Sequence, residues 1–168
     1  LQSKYFGEGL TIYNDKIFQV TWKSNKGFVY DINNFKLLDE FKIYGQGWGL
    51  TNDGKSLILS DGSEKIYYLN PKNFEIEKTI SVSINGNKLI YINELEFIRG
   101  EIWANIWKSN DIITVNPLSG IVTNIFDISK ISEQTEIEDV ANGIAWDKVN
   151  DKIFITGKNW NFIYLLDI

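Results

Sequence analysis

The chain has 168 residues, 43% of them hydrophobic and 14% aromatic, with six Trp, eight Tyr and ten Phe, so it is long enough for one domain with a real core. Its net charge of −5 is spread over interspersed acidic and basic residues, leaving no basic stripe for nucleic acid and no cationic amphipathic helix for a membrane surface. With no His and no Cys, the sequence excludes Ser-His and Cys-His catalysis, His-based zinc sites and disulfides, and acid–base chemistry falls to Asp, Glu, Lys or Tyr.

In chain order, short alternating apolar runs predict strands over Lys16–Trp22, Gly27–Ile32, Leu57–Ser60, Lys65–Leu69, Glu101–Trp107, Asp111–Val115 and Lys152–Thr156. Turn pairs stand at Asn14-Asp15, Asp53-Gly54, Asp61-Gly62, Asn85-Gly86 and Asn150-Asp151. The helical signal is confined to Ile128–Thr135, where a short loop helix is expected.

These runs recur. Gly9-Leu10-Thr11, Gly49-Leu50-Thr51, Glu94-Leu95-Glu96 and Gly143-Ile144-Ala145 each open a repeat, and Asn-Asp-Lys-Ile-Phe occurs identically at 14–18 and 150–154. Repeats close with Phe35-Lys36, Phe74-Glu75 and Gly120-Ile121. A period of ~40–50 residues with up to four short strands per unit is the signature of propeller blades, each unable to bury both faces alone. A sandwich or open meander is the competing all-β architecture, but it needs no repeated sequence. The fourth repeat ends after its third strand and nothing before Leu1 supplies an outer strand. The expectation is therefore one partial β-propeller domain over 1–168, an N-terminally incomplete set of about four blades.

Propeller sites gather at the mouth of the axis, from the beginnings of inner strands and the loops around them. Here those positions carry Phe6-Gly7-Glu8-Gly9, Gly47-Trp48-Gly49, Asn93-Glu94-Leu95-Glu96 and Asn142-Gly143-Ile144, with Trp22, Trp107 and Lys158 at related places one strand later. Glu8 reads either as a solvated turn carboxylate or as a carboxylate in an aromatic pocket, where desolvation raises its pKa toward neutrality. Trp22, Trp48 and Trp107 read as packing or as walls of that pocket; Trp103 and Trp146 read as packing, and Trp160 as either. Asn93, Glu94 and Glu96 read as a polar cluster that ties blades together or serves the site. Lys158 reads as a surface charge or a site cation.

Taken together, Phe6-Gly-Glu-Gly-Leu10, Phe18-Gln-Val-Thr-Trp22, Gly47-Trp-Gly-Leu50, Asn93-Glu-Leu-Glu96, Trp103-Ala-Asn-Ile-Trp107, Asn142-Gly-Ile-Ala-Trp-Asp147 and Ile155-Thr-Gly-Lys158 resemble the plant-type and bacterial glutaminyl cyclases, from about Tyr5 onward. The resemblance implies a five-bladed propeller that turns the N-terminal Gln of a peptide or protein into pyroglutamate with loss of ammonia, with no metal and no organic cofactor. It gives Glu8 the acid–base role, Asn93 and Lys158 the holding of the substrate amide, and Phe6, Trp22, Trp48 and Trp107 the substrate pocket. The family's further N-terminal blade, which carries a Gln-bearing motif, has no counterpart here. The resemblance also implies a secreted or periplasmic protein, monomeric when the ring is complete; an open edge invites self-association. A non-enzymatic propeller binding module and an inactive fragment are the competing readings.

Overall fold

Alternation at period two sets the elements, and the turn residues set where they reverse. In the computed structural model, which describes residues 1–132 and 140–167, the first repeat is an antiparallel meander of β1 (Gly7–Tyr13), β2 (Lys16–Thr21), β3 (Lys26–Asp31) and β4 (Leu37–Lys42). The second is β5 (Leu50–Asn52), β6 (Leu57–Ser60), β7 (Lys65–Leu69) and β8 (Ile76–Ser81). A small hairpin follows, β9 (Ser83–Ile84) and β10 (Asn87–Lys88). The third repeat is β11 (Ile92–Ile98), β12 (Glu101–Ile106), β13 (Asp111–Val115) and β14 (Val122–Asp127). The fourth is β15 (Ala141–Asp147), β16 (Lys152–Gly157) and β17 (Tyr164–Leu166).

Asn14 and Asp15 both take left-handed φ, 47° and 58°, and Asn85-Gly86 does the same at 50° and 79°. This is the handedness that matches the twist of the flanking strands. The segments closing each repeat share another turn. Phe35, Phe74 and Gly120 donate their N–H to the carbonyls of Asp31, Asn70 and Asn116, and each of these side chains also accepts backbone N–H groups within the turn.

The sheets stack face to face in chain order. Phe18, Val20, Val29 and Phe41 of the first meet Leu50, Leu57, Leu59 and Leu69 of the second. Ile58, Ile66, Tyr68 and Ile80 meet Leu95, Ile102, Ala104 and Ile113 of the third. Ile98, Trp103 and Ile112 meet Ile144, Ile153 and Ile155 of the fourth. With β1 beside β5, β5 beside β11 and β11 beside β15, the four sheets are blades of a β-propeller around one axis. The middle strands are covered on both sides, which is why β6 is buried at all four positions. The outer strands β4 and β8 bury one residue each, Phe41 and Ile80, so they carry little apolar signal.

The expected loop helix at Ile128–Thr135 is not a helix where it is described. Ile131 and Ser132 both donate to the Ile128 carbonyl at 3.0 Å, closing a single turn over the buried Ile128 side chain, and 133–135 lie outside the described residues.

Three inner strands share one irregularity at the same repeat position. The pairing register shifts between Gly7 and Leu10, between Ile92 and Leu95, and between Ala141 and Ile144. Such a bulge bends a strand and re-aims its side chains. It also brings inner strands close. A Cβ on Gly9 would lie 2.4 Å from the Leu50 nitrogen, and one on Gly49 would lie 2.1 Å from the Asn93 carbonyl oxygen. The blades are then tied by hydrogen bonds. Gly9 N–H donates to the Trp48 carbonyl at 2.7 Å. Ser60, fully buried, accepts the Gly49 N–H at 2.8 Å and donates to the Asn93 carbonyl at 2.6 Å. Gly143 N–H donates to Asn105 Oδ1 at 3.1 Å.

The inner strands enclose an axial channel of about 630 Å³ that Thr11, Thr51, Glu94, Glu96 and Asn142 help to line. Glu96 accepts from Thr51 Oγ1 at 2.9 Å and from the Trp146 N–H at 3.2 Å, joining three blades. Glu94 accepts a backbone hydrogen bond from Ile144 across the next blade boundary. Removal from water, and then repulsion from Glu96, push the Glu94 carboxyl up to about 8.

Two outcomes are expected. Ser60→Ala strands the Gly49 N–H and the Asn93 carbonyl in a buried site, and should lower unfolding free energy by about 1–3 kcal/mol in urea titration. A loss within error of zero would show that Ser60 does not tie the second blade to the third. Glu94 holds a proton in the folded chain over a range where the unfolded Glu, near 4.5, has lost it. Its contribution is therefore complete below about pH 4.5 and is lost as pH rises toward about 8. The urea midpoint of wild type should fall across that interval relative to Glu94→Gln; parallel profiles would contradict it.

Candidate active site

Each blade offers two positions to the mouth of the axis: the residues just before the inner strand settles into register, and the residue just after the second strand ends. The bulge in β1 presents Glu8, and the segment leading into β5 presents Trp48. The bulge in β11 presents Asn93. Trp22 follows β2, Trp107 follows β12 and Lys158 follows β16. With Phe6, just ahead of β1, all seven line one cavity of about 570 Å³. The β-bulges thus turn Glu8 and Asn93 toward the mouth, and the aromatic side chains reach it from the segments that flank the strands.

The aromatic walls meet edge to face. Phe6 lies 5.7 Å from Trp22 at 64°, and Trp48 lies 5.5 Å from Trp107 at 81°. Tyr91 backs Trp107 at 5.6 Å. Phe6 is the outermost of these rings, 58% exposed. Backbone bonds hold the walls together: Trp22 N–H donates to the Phe6 carbonyl at 3.1 Å, and Trp107 N–H to the Tyr91 carbonyl at 2.9 Å. Lys23 Nζ lies 3.8 Å from the Trp22 ring centre and Lys108 Nζ 4.5 Å from that of Trp107. These are cation–π distances.

The Glu8 side chain is 16% exposed and lies at the junction of the cavity and the channel. Burial raises its pKa above the ordinary 4.5, and the positive charge of Lys158, 3.9 Å away, works in the opposite direction. Lys158 is held at its backbone, where its N–H donates to the Val140 carbonyl at 2.9 Å. Asn93 is 5% exposed, and its carbonyl is engaged by Ser60. The arrangement supplies one partly desolvated carboxyl group, one ammonium, one amide and apolar walls. No group of three or more His, Cys, Asp and Glu able to hold a metal ion occurs among the described residues.

The remaining tryptophans lie elsewhere. Trp103 stacks on Phe126 at 5.0 Å, Trp146 donates its indole N–H to Asp151 at 3.1 Å, and Trp160 covers Gly157 and meets Tyr164 edge-on at 6.0 Å. Glu94 and Glu96 belong to the channel. Lys108, Val140 and Asn159 line the cavity without having been singled out by sequence. Gln46 was also passed over. Its Oε1 accepts the indole N–H of Trp22 at 2.7 Å and that of Trp48 at 3.0 Å. Its signal was a polar residue between two glycines, two positions before a site tryptophan, as Glu8 stands between two glycines.

Comparison with known proteins agrees with this geometry. A curated glutaminyl-peptide cyclotransferase of Arabidopsis thaliana is 38% identical over 174 residues, covering 100% of this chain and 54% of that protein. The chain thus spans about half the length of the curated relative it matches. The crystal structure of Myxococcus xanthus glutaminyl cyclase superposes with a TM-score of 0.89 at 31% identity, covering 97% of this chain and 75% of that one. A Bacteroides caccae protein of unknown function, covered to 59% with all of this chain aligned, shares the fold alone at 11% identity and a TM-score of 0.66. So does the computationally designed Ika4 protein, at 12% and 0.57, with 99% of this chain and 94% of that one covered. The family model described as glutamine cyclotransferase matches residues 1–168, the whole length over which these blades and their cavity are built, and the chain belongs to that family.

Proposed function

We propose that this chain is the catalytic propeller of a glutaminyl-peptide cyclotransferase, converting the N-terminal Gln of a peptide or protein to pyroglutamate with release of ammonia. The observation that carries the reading is the facing pair Glu8 and Lys158, 3.9 Å apart inside a cavity walled by Phe6, Trp22, Trp48 and Trp107. The names of the Arabidopsis and Myxococcus relatives support the reaction class.

The reaction is intramolecular: the substrate's neutral α-amine attacks its own side-chain amide carbon. Holding the Gln side chain bent toward its amine is therefore a large part of the rate, and flat aromatic walls around the side-chain methylenes do this while excluding water. A new C–N bond forms and the carbonyl π pair moves to oxygen. Glu8 takes a proton from the attacking nitrogen. Asn93 and Lys158 stabilise the oxyanion of the tetrahedral intermediate. When the carbonyl re-forms, the bond to the side-chain nitrogen breaks and Glu8 returns its proton to it, so ammonia leaves and Glu8 is again a carboxylate. Since Gln46 occupies the Trp22 and Trp48 indole N–H groups, Trp107 is the wall tryptophan left to add a donor.

Desolvation and Lys158 have opposed roles in this scheme. The first makes Glu8 a better base than a solvated carboxylate, and the second keeps it ionised enough to act.

Incubation of a Gln-initiated peptide with purified protein should release ammonia and yield the pyroglutamyl peptide, read by mass. Folded protein that yields none would overturn the reading. Glu8→Gln should lower turnover by roughly 10²- to 10⁴-fold with thermal unfolding unchanged; full activity in that variant would remove Glu8 from the mechanism. The Glu8 carboxyl, followed by its ¹³C shift, should titrate above 4.5 in wild type and higher still in Lys158→Gln, which loses the charge that opposes desolvation. A lower or unmoved midpoint in the variant would refute the coupling.

A further inference from the structure

One side chain outside the proposed catalytic set, that of Gln46, is hydrogen-bonded to two of the cavity walls. Gln46 Oε1 accepts both the Trp22 and the Trp48 indole N–H, so the two lone pairs of one amide oxygen are spent on two walls from different blades. The backbone beside it makes the same connection. Gly47 N–H is shared between the Thr21 and Trp22 carbonyls at 3.1 and 3.3 Å. Each tryptophan in turn holds one end of the segment that carries Glu8. Trp22 N–H donates to the Phe6 carbonyl at 3.1 Å, and the Trp48 carbonyl accepts the Gly9 N–H at 2.7 Å. Phe6, Trp22, Gln46, Trp48 and Gly9 thus form a hydrogen-bonded chain that leaves Glu8 between its two ends.

We infer that Gln46 is a positioning residue of the cyclisation: its carbonyl oxygen sets the planes of two cavity walls and, through them, the place of the bound glutaminyl side chain relative to Glu8. An indole has an apolar face and one N–H at its edge, so packing alone fixes its plane loosely. A shared acceptor fixes the N–H edges of two indoles in relation to each other. The requirement is for an acceptor, not for an amide. Glutamate satisfies it and leucine, of similar bulk, does not. This inference rests on the reaction proposed above.

The test uses protein labelled with ¹⁵N at tryptophan, with the indole resonances of Trp22 and Trp48 identified from Trp22→Phe and Trp48→Phe. Wild type, Gln46→Leu and Gln46→Glu are compared. A Gln-initiated tripeptide is titrated against each, with Kd read from those resonances, and its turnover is measured separately. Gln46→Leu should move both indole N–H resonances toward the values of non-bonded indoles and lower kcat/KM and affinity together by roughly ten- to a hundredfold, the scale of a small misplacement of a bound substrate. Gln46→Glu should keep both resonances hydrogen-bonded and recover most of that loss. A residue that served only the stability of the fold would lower the unfolding midpoint and leave Kd and KM of the folded fraction where they were. Unmoved indole resonances in Gln46→Leu would overturn the inference, and so would moved resonances with unchanged Kd. So would a glutamate variant as impaired as the leucine one. If wild type binds the tripeptide without turning it over, the proposed reaction fails, while the resonances and Kd values still decide whether Gln46 sets the walls.

Discussion

The close approach of inner strands at the axis is the constraint on which the rest of the molecule depends. Four sheets must converge there, and at two points the distances leave no room for a side chain: a Cβ on Gly9 or Gly49 would meet the backbone of the next blade at 2.4 or 2.1 Å. The strands meet this by bulging. At Gly7–Leu10, Ile92–Leu95 and Ala141–Ile144 the register slips, and the displaced residues project away from the regular pleat. Glu8 and Asn93 reach the cavity for that reason. The cavity lining is here in part a by-product of a packing solution, which recurs in the first, third and fourth blades with different side chains.

The same geometry yields two kinds of desolvated carboxylate. Glu8 and Glu94 occupy the bulges of the first and third inner strands, and burial raises both. What separates them is the neighbouring charge. Glu8 faces Lys158, which draws it back toward ionisation. Glu94 faces Glu96, which pushes it further up, to about 8, so that it stays protonated at neutral pH and accepts from the Ile144 N–H without adding a second negative charge beside Glu96. One glutamate is thereby left beside a cation at the mouth and the other joins blades, although they sit one place apart in the bulges of equivalent strands.

The parts of the molecule legible in the sequence are those in which a residue's neighbours in the chain constrain it. β6, β7 and β13 match their expected bounds because both faces are buried and turn residues punctuate their ends. The repeat told where strands enter the axis, and the family resemblance singled out, among the residues there, seven that share the lining of one cavity. The outer strands β4 and β8 were not bounded, since each buries a single side chain. The short helix expected at 128–135 is replaced, over the described 128–132, by a single turn, because Ile128 is buried in the cluster between the third and fourth blades, a contact the local sequence does not show. Gln46 was missed for a similar reason. Its partner Trp22 is 24 positions away, and a glutamine between glycines looks like any loop residue until that tryptophan is placed beside it.

That miss points to how the site divides its requirements between backbone and side chain. The links from Trp22 to Phe6, from Gly9 to Trp48, from Trp107 to Tyr91 and from Lys158 to Val140 all use main-chain groups. They follow from the fold and tolerate side-chain change. They fix where each wall is attached, but not how its ring is turned, because a tryptophan rotates about bonds beyond the backbone. Ring orientation needs either a neighbour that blocks rotation or a partner for the indole N–H. Trp107 is held between Trp48 and Tyr91, the first kind of restraint. Trp22 has the exposed Phe6 on one side and the Lys23 ammonium over its face, and its hydrogen bond to Gln46 at 2.7 Å is the shorter of the pair. Of the two indoles that share Gln46, the one beside the exposed Phe6 has the shorter hydrogen bond, which is the arrangement expected if the planes of these rings, and not merely their presence, matter to what the cavity holds.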